Sequence, residues 1–112
     1  MPAAVPPTQT NSISIPVSLG SRSYVVEVGH GLLKQEGPWQ REQLLGRQRA
    51  AVVTDSTVGP LYAETVLASL ARAGKAATLI TVPAGEGSKS LGCAETVLSQ
   101  MARAGLDRKS FL

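Results

Sequence analysis

Two short, continuously apolar runs constrain the fold of this chain more than any other feature. Ala50-Ala51-Val52-Val53-Thr54 and Ala76-Ala77-Thr78-Leu79-Ile80-Thr81-Val82 are each followed by an alanine-rich segment of helical spacing. Apolar runs without polar alternation suit strands covered on both faces, as in a parallel sheet. The segments behind them resemble each other. Ala63-Glu64-Thr65-Val66-Leu67 recurs as Ala94-Glu95-Thr96-Val97-Leu98, and both segments close on Ala-Arg-Ala-Gly, at 71–74 and 102–105. The offset is 31 residues in both places, about the length of one β-α unit. Two copies are too few for a solenoid, and chance convergence explains the match as well as duplication does. The order β-α-β-α predicts parallel strands with right-handed crossovers, a Rossmann-like α/β half-domain.

Punctuation sets the expected boundaries. The first helix should run from about Pro60 to Ala73 and stop at Gly74, with Pro60 in the first turn, where its missing N–H costs little. Ala63, Val66, Leu67 and Leu70 share its inner face. The second should run from about Lys89 to Ala104 and stop at Gly105, with Leu91, Ala94, Val97, Leu98 and Met101 as its apolar stripe. Upstream, Ile13 to Leu19 alternates apolar and polar residues, and Tyr24 to Val28 is β-branched after the turn-like Gly20-Ser21-Arg22. These predict a β-hairpin. Pro16 cannot donate to a ladder, so its strand belongs at an edge or leaves that position unpaired. Leu32 to Glu36 suggests a helical turn ended by Gly37-Pro38. Asp107-Arg108-Lys109 reads as a polar turn and Ser110-Phe111-Leu112 as the first step of another strand, as in a domain truncated before its next strand.

Composition excludes several function classes. A chain of 112 residues supports one modest core. With only Tyr24, Trp39, Tyr62 and Phe111 aromatic, that core must be built from Val, Leu, Ile and Ala. The net charge of +3 comes from scattered residues. No stripe of Lys and Arg with interleaved aromatics forms, so the pattern argues against a nucleic-acid partner, while mild attraction to an anionic small molecule remains. Cys93 is the single cysteine, which rules out an intrachain disulfide and a cysteine-based metal site, and suits a reduced cytoplasm. No apolar stretch approaches the roughly 20 residues that cross a bilayer. Residues 1–12 hold three prolines and no charged side chain. They lack the basic start and apolar stretch of a signal peptide and read as a disordered tail, which leaves 13–112 as the folded part.

In open α/β sheets ligands sit at the carboxyl ends of the strands. Two candidates fall there: Asp55 after the first run, and Pro83-Ala84-Gly85-Glu86-Gly87-Ser88-Lys89 after the second. Gly85 and Gly87 allow positive φ and close backbone approach. Backbone N–H groups entering the next helix favour an anion. Glu86 can accept from a ribose diol, and Lys89 offers a compact positive charge to a phosphate or sugar oxygen. Residue chemistry leaves a plainer alternative open, a solvated glycine-rich loop with Ser88 capping the helix. Asp55 likewise has an alternative role as a cap of the following turn. The loop lacks the GxxxxGK[ST] spacing of a Walker loop and the third glycine of GxGxxG. His30, alone at the hairpin exit, reads as structural or solvated. Cys93 reads as a packed or partly exposed thiol. Trp39 and Tyr62 read as packing residues.

Taken in succession, several motifs resemble the opening of 3-dehydroquinate synthases. They are Leu19-Gly20-Ser21-Arg22-Ser23-Tyr24, Val28-Gly29-His30-Gly31-Leu32-Leu33, Val52-Val53-Thr54-Asp55, Pro83 through Leu91, and Gly105-Leu106-Asp107-Arg108. Together they span nearly all of 13–112. The resemblance implies a partial NAD-binding domain, in which Gly85, Glu86 and Lys89 hold the NAD ribose region. Ala84, Gly87 and Ser88 would serve as loop backbone, and Asp55 would help hold the adenosine end. For the whole family protein it implies conversion of 3-deoxy-D-arabino-heptulosonate 7-phosphate to 3-dehydroquinate and phosphate, on the shikimate route to aromatic amino acids. It further implies a divalent metal (zinc or cobalt), a homodimer and a cytoplasmic setting, with neither nucleic acid nor membrane as partner. The metal ligands, the substrate-binding cations and the pyrophosphate loop would all lie beyond Leu112, so no catalytic residue and no turnover are expected in this chain alone. The rival readings are another NAD-dependent sugar-phosphate cyclase, a related polyol dehydrogenase, and a non-catalytic nucleotide-binding module.

Overall fold

The computed structural model describes residues 12–112, so residues 1–11 of the expected tail lie outside the described residues. The chain divides into two units, Met1–Leu32 and Leu33–Leu112. In the first, β1 (Ile13–Val17) and β2 (Tyr24–Val28) form the expected antiparallel hairpin. Pro16 lies opposite Val25, and among the described residues the sheet has two strands, each an edge, so the missing N–H is tolerated. The turn is a 3-10 turn at Gly20–Arg22, closed by Ser23, whose Oγ accepts from Leu19 N (2.8 Å) and donates to Gly20 O (2.7 Å).

The second unit carries the parallel core. β3 (Arg49–Asp55) pairs in parallel with β4 (Ala76–Val82), in a register that sets Arg49 opposite Ala76 and Asp55 opposite Val82. On the other side of β3, Phe111 bridges Ala50 in parallel; Ala51 N donates to Phe111 O (2.9 Å) and Phe111 N to Arg49 O (3.0 Å). The order is therefore Phe111, β3, β4. The chain steps one way from β3 to β4 through α1 (Gly59–Arg72), and back past β3 through α2 (Leu91–Arg103). Right-handed crossovers in opposite directions put the two helices on opposite faces. The clefts agree: Leu79 and Thr81 line one with Pro60 and Ala63 of α1, whereas Val53 and Val82 line another with Cys93 and Val97 of α2.

The repeated Ala-Arg-Ala-Gly ending is repeated in three dimensions. Gly74 (φ +78°) and Gly105 (φ +80°) follow the two helices in the left-handed region. Lys75 N donates to Leu70 O (2.9 Å) and Leu106 N to Met101 O (3.1 Å), the long bond of a Schellman cap. The core is small, made of Ala50, Ala51, Ala63, Leu70 and Ile80, as the shortage of aromatics requires.

Several expectations need correction. α1 lies one residue upstream of its expected span, and α2, which starts at Leu91, is shorter by two residues at its start and one at its end. Leu91 and Leu98 of its stripe are exposed (91% and 63%), so α2 rests on the sheet through Cys93, Val97 and Met101, each half-buried. Coverage of the strands is partial as well, since Val53 and Leu79 are each 39% exposed. Tyr62 is 52% exposed and packs little. Trp39 does pack, and its Nε1 donates to Oγ of the buried Ser69 (2.9 Å), which in turn donates to Val66 O (2.9 Å). Gly37-Pro38 does not end the turn at Leu32–Lys34 but opens another, Gly37–Gln40, with a third at Glu42–Leu44.

Candidate functional site

Adjacent parallel strands whose following helices leave to opposite faces open a crevice between their carboxyl ends, the usual ligand position in such sheets. Here those strands are β3 and β4, and the crevice falls between Asp55 and the Pro83–Lys89 segment. The two are held side by side. Ser56 N donates to Val82 O (2.9 Å), carrying the ladder one step past Asp55, and Ala84 N donates to Ser56 Oγ (3.0 Å).

Asp55 shapes its own turn. Its Oδ1 accepts from Thr57 N (2.9 Å) and Val58 N (2.7 Å), so the capping role is present. This turn feeds α1, whose own N-cap, Val58, has no side chain able to cap.

The glycine-rich segment has a definite conformation. Gly85 sits at φ +107° and ψ 172°, a region open essentially to glycine alone. Gly87 differs from expectation: it lies in a 3-10 turn, Glu86–Ser88, at ordinary φ. Ser88 N donates to Gly85 O (3.2 Å), Lys89 N to Glu86 O (3.0 Å), and Ser88 Oγ to Pro83 O. Ser88 thus closes the loop and does not cap α2. The cap is Ser90, whose Oγ accepts from Cys93 N (3.1 Å). Glu86 and Lys89 form an exposed ion pair with each other (3.2 Å). Such an exposed pair contributes little to stability. A cleft of about 410 Å³ opens beside the loop, with Thr81, Pro83, Ala84, Gly87, Ser88 and Cys93 in its wall. A second, of about 450 Å³, lies on the α1 side with Ser56, Glu64 and Thr81. Thr81, at the tip of β4, lines both.

No protein-family model matches the chain. Curated relatives do. The 3-dehydroquinate synthase of Symbiobacterium thermophilum is 46% identical over 94 residues, which cover 84% of this chain and 26% of that protein. Those of Brucella ovis and Brucella canis are 42% identical over 103 residues, 92% of this chain and 27% of theirs. The chain belongs to the 3-dehydroquinate synthase family. It spans about a quarter of the length of the curated relatives it matches.

Within this family member the seven residues singled out in the sequence fall on one rim of the sheet. Ala84, Gly87 and Ser88 line the first cleft, Asp55 ends β3, and Gly85, Glu86 and Lys89 belong to the exposed loop beside it. Sequence reasoning passed over Ser56, which ties the two halves of the rim together; a serine straight after a strand-ending aspartate carries no signal of a partner 28 residues away. It also chose Ser88 over Ser90 as the cap, because Ser-Lys-Ser offers two candidates and only the turn geometry separates them. Among the described residues no group of three or more His, Cys, Asp or Glu side chains gathers to hold a metal.

Proposed function

We propose that this chain is the dinucleotide-holding segment of a 3-dehydroquinate synthase that converts 3-deoxy-D-arabino-heptulosonate 7-phosphate to 3-dehydroquinate and phosphate, as a cytoplasmic homodimer. The observation that carries the reading is the meeting of Asp55 and the Gly85-Glu86 loop at one switch-point crevice. Bound NAD would supply the hydride acceptor for a ring hydroxyl. The chain's own residues bind and orient. A Cβ placed on Gly85 or Gly87 would meet no atom within 4 Å, so the loop surface is clear for a sugar to lie against it. Glu86 exchanges Lys89 for the ribose hydroxyls, and Lys89, released, turns to a phosphate or sugar oxygen. A carboxylate has two acceptor oxygens. With Oδ1 spent on its turn, Asp55 meets the adenosine end through Oδ2. Backbone at Ala84, Gly87 and Ser88 completes the loop's contact.

Glu86→Ala tests this directly. In the intact protein that carries this chain, the dissociation constant for NAD⁺ should rise about tenfold, the effect of one lost charge-assisted bond. An unchanged constant contradicts the ribose role. The purified 112-residue chain should form no 3-dehydroquinate, and product in that assay overturns the assignment of this segment to binding alone.

A further inference from the structure

The geometry points to Ser56 as a positioning residue for the dinucleotide loop, a clasp that sets the loop's height over the crevice. This rests on the proposed cofactor reading. The loop leaves β4 through Pro83, which has no N–H to give, so the exit has few ways to be fixed. Ser56 grips it on either side of that proline. Its N–H donates to Val82 O (2.9 Å) and its Oγ accepts from the N–H of Ala84 (3.0 Å). Ala84 stands directly before Gly85, whose glycine-only conformation redirects the chain into the Glu86–Ser88 turn. The far side is closed by Ser88 Oγ on Pro83 O. Ser56 is also the residue after Asp55, so one backbone step couples the carboxylate turn to the loop. Its hydroxyl therefore fixes the distance between Asp55 and Glu86, two groups that must reach the same ligand. Ser56 is exposed and contributes nothing to the core, so losing its hydroxyl should loosen the loop without unfolding the sheet.

The test compares Ser56→Ala with Ser56→Thr in the intact protein that carries this chain. Two readouts are taken, amide hydrogen exchange at Ala84 and the NAD⁺ dissociation constant. In Ser56→Ala the backbone bond to Val82 persists and only the clasp is lost. Exchange at Ala84 should quicken, exchange at buried Ile80 should stay as it is, and the dissociation constant should rise about 3- to 10-fold, the effect of one neutral hydrogen bond. Ser56→Thr keeps the hydroxyl and should restore both. Unchanged exchange at Ala84, or quickened exchange with unchanged binding, overturns the clasp while the cofactor reading stands. A wild-type protein that binds no NAD⁺ overturns the cofactor reading first, and the clasp with it.

Discussion

The two rims of the β3–β4 sheet handle charge in opposite ways. At the amino rim three cations, Lys75, Arg47 and Arg49, donate to backbone carbonyls. Lys75, 8% exposed, donates through Nζ to Leu44 O and Arg47 O (both 2.8 Å), with the Phe111 ring 6.0 Å away. Arg47 Nη1 reaches Arg108 O (3.1 Å), and Arg49 Nη1 reaches Gly105 O (2.7 Å). At the carboxyl rim the charged loop side chains, Glu86 and Lys89, pair with each other in the open. One rim uses cations to satisfy irregular backbone that has no ladder of its own. The other keeps polar groups and a glycine-shaped loop available. The contrast teaches that a net charge of +3 says little about ligand attraction here, because three of the cations are held as staples on backbone carbonyls at the rim away from the loop.

Mutations should separate the rims, and the largest effect is expected at the amino one. Lys75→Met keeps the aliphatic stem but takes the ammonium from both carbonyls, and while Leu44 O keeps its bond from Arg47 N, Arg47 O loses its donor; chemical denaturation should show a loss of about 2–3 kcal/mol. A loss near zero would mean water replaces the ammonium and the staple is incidental. Gly85→Ala, at the carboxyl rim, forces a side chain into a glycine-only conformation and should cost about 1–3 kcal/mol locally. Its NAD⁺ affinity should fall further than its stability, and the reverse order would remove the case for a ligand-shaped loop. Ser90→Ala removes the cap of α2 and should cost about 1 kcal/mol in the same denaturation experiment. Glu86→Ala should move stability by less than about 0.5 kcal/mol, since an exposed ion pair is worth little. A larger change would show that the loop is a structural strut.

The β-α-β-α order and the rim that holds the loop were legible because they rest on local patterns: apolar runs, a helix period, and glycines after Ala-Arg-Ala. The hairpin was legible for the same reason. The staples were not. Lys75 reads in sequence as a polar residue after a helix stop, yet the Schellman turn aims it at the 42–48 segment. Its counterpart Leu106 marks the same turn after α2 without that role. The stripe of α2 was over-read, because period alone cannot say how much of a face is covered, and Leu91 and Leu98 remain open. Gly87 was over-read in a similar way, since its type permits positive φ without requiring it.

The most direct measurement is a residue-resolved NMR titration with NAD⁺ on the protein that carries this chain. The account predicts that amide signals of Asp55, Ser56 and Ala84 through Lys89 shift with ligand, while those of Leu44 through Arg49 and Gly105 through Ser110 stay in place. Shifts confined to the amino rim, or none at saturating NAD⁺, would contradict it.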